Sequence, residues 1–179
     1  MKIHFELSPD PKLLEQYYDL RGRCYRDELK LAGFDGGEEP RDRHSHILIA
    51  HRNRKCLGGI RITRVIHIVD KLPTLPVPLD RCCVWERGAL HPEYRSPDLA
   101  LGFCENLLDA SRELGFVHAA ALSSLRNARF YRKCHSILGV ECCIQQKLKR
   151  PPDLGFAGLE HYISITNLQP EAAPVKLAA

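Results

Sequence analysis

The sequence predicts a domain built on a mixed β-sheet with helices on both faces, of the α/β or α+β type. Three observations predict it. Strand-like and helix-like hydrophobic patterns follow one another in the order β–α–β–β–β–α–β–α–β–β. Residues 116–122 form a continuous apolar run, the pattern of a strand covered on both faces. Residues 84–100, VWERGALHPEYRSPDLA, run from a buried strand through a tight turn into a helix start. Such strand–turn–helix units place functional groups at the strand's carboxyl end, so the chemistry is expected there.

The elements follow in order. Residues 1–7 alternate as a first strand, and Pro9 and Pro11 end it. Residues 12–31 carry apolar side chains at 13, 14, 17, 20, 24, 25 and 29, a helical stripe. Residues 33–40, GFDGGEEP, read as a polar, glycine-rich loop. Residues 47–51 and 57–68 are strand-like, with Asn53-Arg54 placed to turn a hairpin. Pro73, Pro76 and Pro78 make residues 71–80 an irregular connection. Residues 83–90 are the central strand. Ser96 can cap the next helix, Pro97 suits its first position, and Asp98 sits at the positive end of its dipole. That helix has its stripe at 99, 103, 107, 110 and 114, and Gly115 ends it. A basic helix at 125–138 and late strands at 140–148 and 161–165 complete the order. The expected domain spans 1–168, and the Ala/Pro-rich tail of 169–179 is expected to be flexible.

Composition bounds the function. With 179 residues one domain is the default, long enough to bury a core. The net charge of +4 fits an acidic partner. No aromatic-interleaved basic stripe points to nucleic acid. No apolar run approaches the roughly 20 residues of a membrane span, and the N-terminus MKIHF lacks a signal-peptide core, so a cytoplasmic protein is expected. The eight cysteines include two adjacent pairs and no C-x-x-C spacing. They read as reduced thiols packed as small hydrophobes, and no metal is expected. Cys134-His135 is the one Cys–His neighbour pair, and nucleophilic use of it is weighed against chance adjacency.

The string His91-Pro92-Glu93-Tyr94-Arg95 at the end of the fourth strand, in this order of elements, resembles the GNAT acyltransferase superfamily, many of whose members read V-x-P-x-Y-R there. Residues 126–133, RNARFYRK, resemble the superfamily's later helix, which often carries F-Y-x-K. The nearest resemblance is to the acyl-homoserine-lactone synthases and the long-chain N-acyl amino acid synthases. Leu20-Arg21-Gly22-Arg23-Cys24-Tyr25 is similar to their L-R-x-x-V-F, Asp42 with HSHILIA to their acidic loop and H-L-L-A, and Gly58-Gly59-Ile60-Arg61-Ile62 to their G-x-x-R-L. The resemblance implies a splayed GNAT-like sheet. It also implies transfer of a fatty acyl group from a thioester to the amine of a small amino-acid-like acceptor.

The sequence departs from these relatives in three places. Aligned on Leu90-His91-Pro92, Arg87 matches the arginine of their E-x-S-R-x-x-V, but their glutamate falls on Val84. Glu86 lies two positions on, on the same face of a strand. The synthases' tryptophan after the first helix is replaced by Leu31. Acetyl-CoA users read R-x-x-G-x-G/A at the turn, where bare N–H groups hold a pyrophosphate. Here Arg95, Ser96, Pro97 and Asp98 supply a proline without an N–H and a negative charge. That favours acyl carrier protein over CoA as donor, with ordinary helix capping as the alternative. Acyl carrier protein, acyl-CoA or acetyl-CoA would be a co-substrate, with no tightly bound cofactor.

The candidate residues follow from this frame. Glu86 is the acid inside the central strand, and a tryptophan neighbour, Trp85, can shield a carboxylate from water; the role considered is proton acceptor from the amine, the alternative an ion pair with an arginine. Arg87 points to the other face unless a bulge intervenes, and the superfamily does place one in this strand. N–H groups near Ala89 and Leu90 would then polarise the thioester carbonyl. Tyr131 matches a tyrosine that protonates the leaving thiolate in some relatives, and core packing is the alternative. Arg21, Arg61 and Asp42, with Tyr25, either meet the acceptor or form a structural network. Arg126, Asn127, Arg129, Arg132 and Lys133, with Lys147, Lys149 and Arg150 beyond, offer a basic surface for an acidic carrier protein or a merely solvated face. An acetyl-CoA-dependent N-acetyltransferase and a silent acyl-binding module on the same fold are the competing functions.

Overall fold

The computed structural model describes residues 2–67, 75–148 and 160–169. Its elements are β1 (His4–Leu7), α1 (Pro11–Arg23), β2 (His46–Arg52), β3 (Lys55–Arg64), β4 (Cys82–Leu90), α2 (Pro97–Glu113), β5 (His118–Ser123), α3 (Leu125–Ile137), β6 (Cys142–Leu148) and β7 (His161–Asn167). The order is the one expected from sequence. The tail beyond 169, part of the 71–80 connection, and Lys149 and Arg150 lie outside the described residues.

Local chemistry explains the boundaries. Asp10 caps α1 through Lys12 N–H at 3.0 Å, and Pro11 takes its first position. The stripe read over 12–31 breaks in two: α1 ends at Arg23, and Cys24–Glu28 continue as a wider π turn. Asn53 and Arg54 both adopt positive φ, 50° and 59°, the tight turn a β2–β3 hairpin needs. β3 is shorter than expected; Val65–His67 coil into a 3₁₀ turn. Ser96 caps α2, accepting from Leu99 N–H at 3.1 Å. Beyond α2, Gly115 takes φ 83°.

The seven strands form one sheet in the order β1-β2-β3-β4-β5-β7-β6. Every neighbouring pair is antiparallel except β4 and β5. These two run parallel, as a strand–helix–strand crossover requires, and pair only over Cys82–Trp85 and His118–Ala121. Past that point they part. β4 stays with β3, ending with Leu90 opposite Gly58, and β5 stays with β7, ending with Ser123 opposite Tyr162. The sheet therefore opens as a V beyond Trp85 and Ala121.

The core lies on both faces. On one, α2 packs Leu99, Phe103, Leu107 and Leu108 against Leu48, Ile60, Ile62, Cys83 and Trp85. Each such side chain fully buried contributes roughly 1.5–3 kcal/mol. On the other, α1 packs Leu13, Tyr17 and Leu20 against Ile47, Ile49 and Ala89. Gly59 permits this approach, because a Cβ there would stand 2.6 Å from the Tyr17 ring. Ala119, Ala120 and Ala121 of β5 are all buried, as its unbroken apolar run requires. All eight cysteines are free, and all but Cys143 are buried.

Candidate active site

The site begins with a bulge. Gly59 pairs with Ala89 and Arg61 with Glu86, so Arg87 and Gly88 together face the single residue Ile60. Arg87 takes φ 59°, a left-handed conformation that a residue other than glycine adopts only when held. Tyr17 holds it: its buried hydroxyl donates to the Arg87 carbonyl at 2.7 Å. Burial pushes the Tyr17 phenol well up, so it stays a donor.

The bulge brings Glu86 and Arg87 into one cluster, where plain alternation would separate them. Glu86 Oε1 accepts from Arg41 at 2.7 Å; Oε2 accepts from Arg61 and from the Thr63 hydroxyl, each at 3.1 Å. Arg87 grips Glu39 with two hydrogen bonds of 3.0 and 2.7 Å. Arg61 also reaches Glu39 at 2.7 Å and Asp42 at 2.8 Å, and Arg21 binds Asp42 at 3.2 and 3.0 Å. The guanidinium of Arg87 lies over Phe34 and Tyr25, and that of Arg21 over Tyr18 and Tyr17.

This cluster has an inside and an outside. Arg21, Arg61 and Asp42 are buried and paired with one another, behind the exposed groups of the cluster. Arg41, Glu86, Arg87 and Glu39 keep 18–29 % of their side chains exposed and form the rim. Burial works to raise the carboxyl of Glu39, but the hydrogen bonds and charges of Arg87 and Arg61 outweigh it and bring it down to about 2. Asp42 is likewise lowered, burial being outweighed by Arg21, the Glu39 N–H and Arg61.

Trp85 does not shield Glu86. Successive strand residues face opposite sides, and the Trp85 indole lies on the α2 face, donating to Ser111 Oγ at 3.0 Å. Its ring sits 6.0 Å from Tyr131 and 5.5 Å from His135. The water-shielding role expected of it toward Glu86 is therefore corrected.

At the V's opening, the His91 N–H bonds the Leu57 carbonyl at 2.8 Å. Antiparallel alternation then directs Ala89 N–H toward β3 and Leu90 N–H away from it. Of the two N–H groups expected to be freed, Leu90 fits and Ala89 does not. The Tyr131 hydroxyl lies 3.5 Å from where a Gly88 side chain would begin, so the tyrosine of α3 reaches across to the bulge of β4. Burial raises the Tyr131 phenol strongly, which keeps its proton in place.

The donor-side residues are placed differently. Arg95 is engaged by Glu28 through both oxygens, at 2.7 and 2.5 Å, and by the Leu90 carbonyl at 3.0 and 2.9 Å. Ser96 is occupied in capping α2. Arg126, Asn127, Arg129, Arg132 and Lys133 are exposed on α3, interleaved with exposed Phe130 and Ile137. Cys134 is buried with its thiol pushed up by desolvation, and burial lowers His135 to about 4, so the pair lacks the thiolate a nucleophile needs. Among the described residues no His/Cys/Asp/Glu group is arranged to hold a metal, and no helix is long and apolar enough to cross a membrane.

Sequence reasoning missed Glu39, Arg41, Phe34, Thr63 and the Tyr17 hydroxyl. Glu39 and Arg41 lie in or beside the segment read as a polar loop, where no periodicity marks a residue as inward-facing.

A mixed sheet of this order, parted between its parallel fourth and fifth strands and bulged in the fourth, is the fold of the GNAT N-acyltransferases. Solved structures bear this out. The acyl-homoserine-lactone synthase LasI superposes with a TM-score of 0.64 at 14 % identity, covering 94 % of this chain and 89 % of that one. BjaI, a CoA-dependent acyl-homoserine lactone synthase solved with SAM and isopentyl-CoA, gives 0.66 at 16 % identity, covering 93 % and 83 %. An acyl-CoA N-acyltransferase from Pseudomonas aeruginosa gives 0.59 at 14 % identity, covering 92 % and 97 %. No family model matches the chain, and no curated protein matches it.

Proposed function

We propose that this protein is an N-acyltransferase that moves an acyl group from a carrier-bound thioester to the amine of a small, amino-acid-like acceptor. The observation that carries the reading is the division of groups around the β4 bulge. The Leu90 N–H and the Tyr131 hydroxyl stand at the opening of the V, and the charged rim of Glu86, Arg41, Arg87 and Glu39 lies on the α1 face.

The acceptor enters from the charged rim. Its ammonium takes the place of Arg41 at Glu86 Oε1, while Arg61 and Thr63 keep Oε2 in position. Arg41 is partly exposed and has the freedom to swing to an acceptor carboxylate, so one ion pair is exchanged for two. Glu86 removes the amine's proton, directly or through a water. The amine attacks the thioester carbonyl, whose oxygen accepts from Leu90 N–H. The tetrahedral intermediate collapses, the carbon–sulfur bond breaks, and the second proton of the attacking nitrogen passes to the departing thiolate, which Tyr131 steadies by donating a hydrogen bond while keeping its own proton.

Acyl carrier protein is the donor this surface suits best. The α2 N-terminus carries Pro97 and Asp98 where a pyrophosphate would need N–H groups and positive charge. On α3, exposed Arg126, Arg129, Arg132 and Lys133 surround exposed Phe130 and Ile137, a basic rim about an apolar contact that matches an acidic partner. The test is thiol release from acyl carrier protein and CoA thioesters in the presence of a panel of amino acids and other amines, with products identified by mass spectrometry. Release from carrier-protein thioesters with an N-acyl product is expected. Release from acetyl-CoA alone would reverse the donor, and release from neither would overturn the reading.

A further inference from the structure

The sheet at the V separates two environments. On the α1 face the bulge meets a charged cluster, Glu86, Arg61, Arg87 and Glu39, beside the tightly packed Ala89 and Tyr17. On the α2 face the neighbours are apolar or aromatic: Ile60, Leu99, Phe103 and Trp85, with Tyr131 packed against them. An acyl tail attached to a carbonyl at Leu90 N–H gains by entering the second face and loses by entering the first.

Trp85 belongs to that second face, at the closed end of the V. It occupies the last position at which β4 and β5 are still paired, opposite Ala121, so the V closes at its ring. It is 3 % exposed. Its indole is fixed on three sides: by the Ser111 hydroxyl of α2 at 3.0 Å, by the edge of His135 at 5.5 Å, and by Tyr131 at 6.0 Å. Ser111 is itself anchored to the Leu107 carbonyl at 2.8 Å. A ring held in this way does not swing aside to admit a long chain. Opposite it, β5 offers only the small side chains of Ala119 and Ala121, so the space between the strands is filled by the indole and by nothing else of comparable size from that strand.

We infer that Trp85 is the stop that sets acyl-chain length, and that the group transferred is a short one, ending where the indole begins. The inference rests on the acyl-transfer reading above and narrows it, replacing the fatty acyl group that the family resemblance implies.

The test measures kcat/KM for a series of straight-chain thioesters from acetyl to dodecanoyl, each offered on CoA and on acyl carrier protein, for wild type, Trp85→Phe, Trp85→Leu and Ser111→Ala. Wild type is expected to fall off after the short members. In Trp85→Phe and Trp85→Leu the optimum moves to longer chains, each methylene newly accommodated raising kcat/KM about fourfold. Ser111→Ala loses the same indole hydrogen bond but keeps the ring, so it is expected to lower stability and leave the chain-length optimum in place. That contrast separates shape from stability. A profile that scales uniformly in the Trp85 variants, or a wild type that already prefers dodecanoyl, would overturn the inference while leaving acyl transfer intact. Absence of thiol release from every thioester would overturn both.

Discussion

The Tyr17 hydroxyl of α1 donates to the carbonyl of Arg87 in β4, 2.7 Å away across 70 positions of sequence. This one bond joins the first helix to the bulge on which the site is built. Tyr17→Phe keeps the ring against Gly59 and removes the donor. Taking the donor from a part-buried carbonyl costs about 1–3 kcal/mol, so a lower denaturation midpoint is expected. Turnover per folded molecule is expected to fall as well, because a bulge no longer tied down lets Leu90 N–H and Tyr131 drift out of register. Denaturant titration and thiol release measured on the same preparation check both. A stability loss with turnover per folded molecule unchanged would show that the bulge holds itself.

The acid limb of stability is set by Glu39 and Asp42. Glu39 sits at about 2 in the folded protein, against its ordinary 4.5. A carboxyl depressed by folding stabilises the native state above its unfolded value, and that contribution is lost as pH falls through the folded one. The unfolding free energy is therefore expected to decline from pH about 4.5 down to about 2. Asp42 is shifted in the same direction and adds to the decline. Glu39→Gln is expected to flatten the profile in that window. Asp42→Ala is expected to cost about 3–5 kcal/mol, because it leaves the buried guanidinium groups of Arg21 and Arg61 without their shared partner.

Local signals made the fold legible. Ser96-Pro97 announces α2, Asn53-Arg54 turns the hairpin, and Pro92 ends β4, each through the conformational limits of its own residue. The site was legible only in part. Arg21, Asp42 and Arg61 were singled out by family pattern, yet the structure shows them buried, behind the rim. The rim residue Arg41 meets Glu86 across 45 positions, and no period or spacing records such a contact. Alternation in β4 puts Trp85 and Glu86 on opposite faces, against the shielding expected of Trp85; it also parts Glu86 from Arg87, which the bulge reverses. A single inserted residue is invisible to a two-residue period.

The exposed basic helix makes a separate expectation about association. Reversing charge at Arg129 and Arg132 removes attraction for an acidic carrier without touching the bulge. The association rate with acyl carrier protein is expected to fall about tenfold at low salt. Its dependence on ionic strength is expected to flatten, because screening then has less attraction to remove. Stopped-flow binding across a salt series measures both. Identical slopes for variant and wild type would move the carrier to another surface.

Glu86 carries the last expectation. An ammonium has no lone pair to offer a thioester, so a group beside the acceptor must take its proton. Glu86 directly precedes the bulge in β4, with Oε2 fixed by Arg61 and Thr63 and Oε1 bonded to Arg41. Glu86→Gln keeps the shape, and Arg61 retains Asp42 and Glu39, so the variant is expected to fold. Turnover is expected to fall roughly a hundredfold or more, the scale of a positioned base. Donor binding is expected to stay as it was, because in the proposed reaction the thioester meets Leu90 N–H and Tyr131 and not the carboxylate. The deficit should shrink as pH rises, since free amine then forms without help. Thiol-release rates from neutral to alkaline pH, set beside the denaturation midpoint, separate the alternatives. A variant that is less stable but equally active per folded molecule would make Glu86 a structural partner of Arg41 and Arg61 and nothing more.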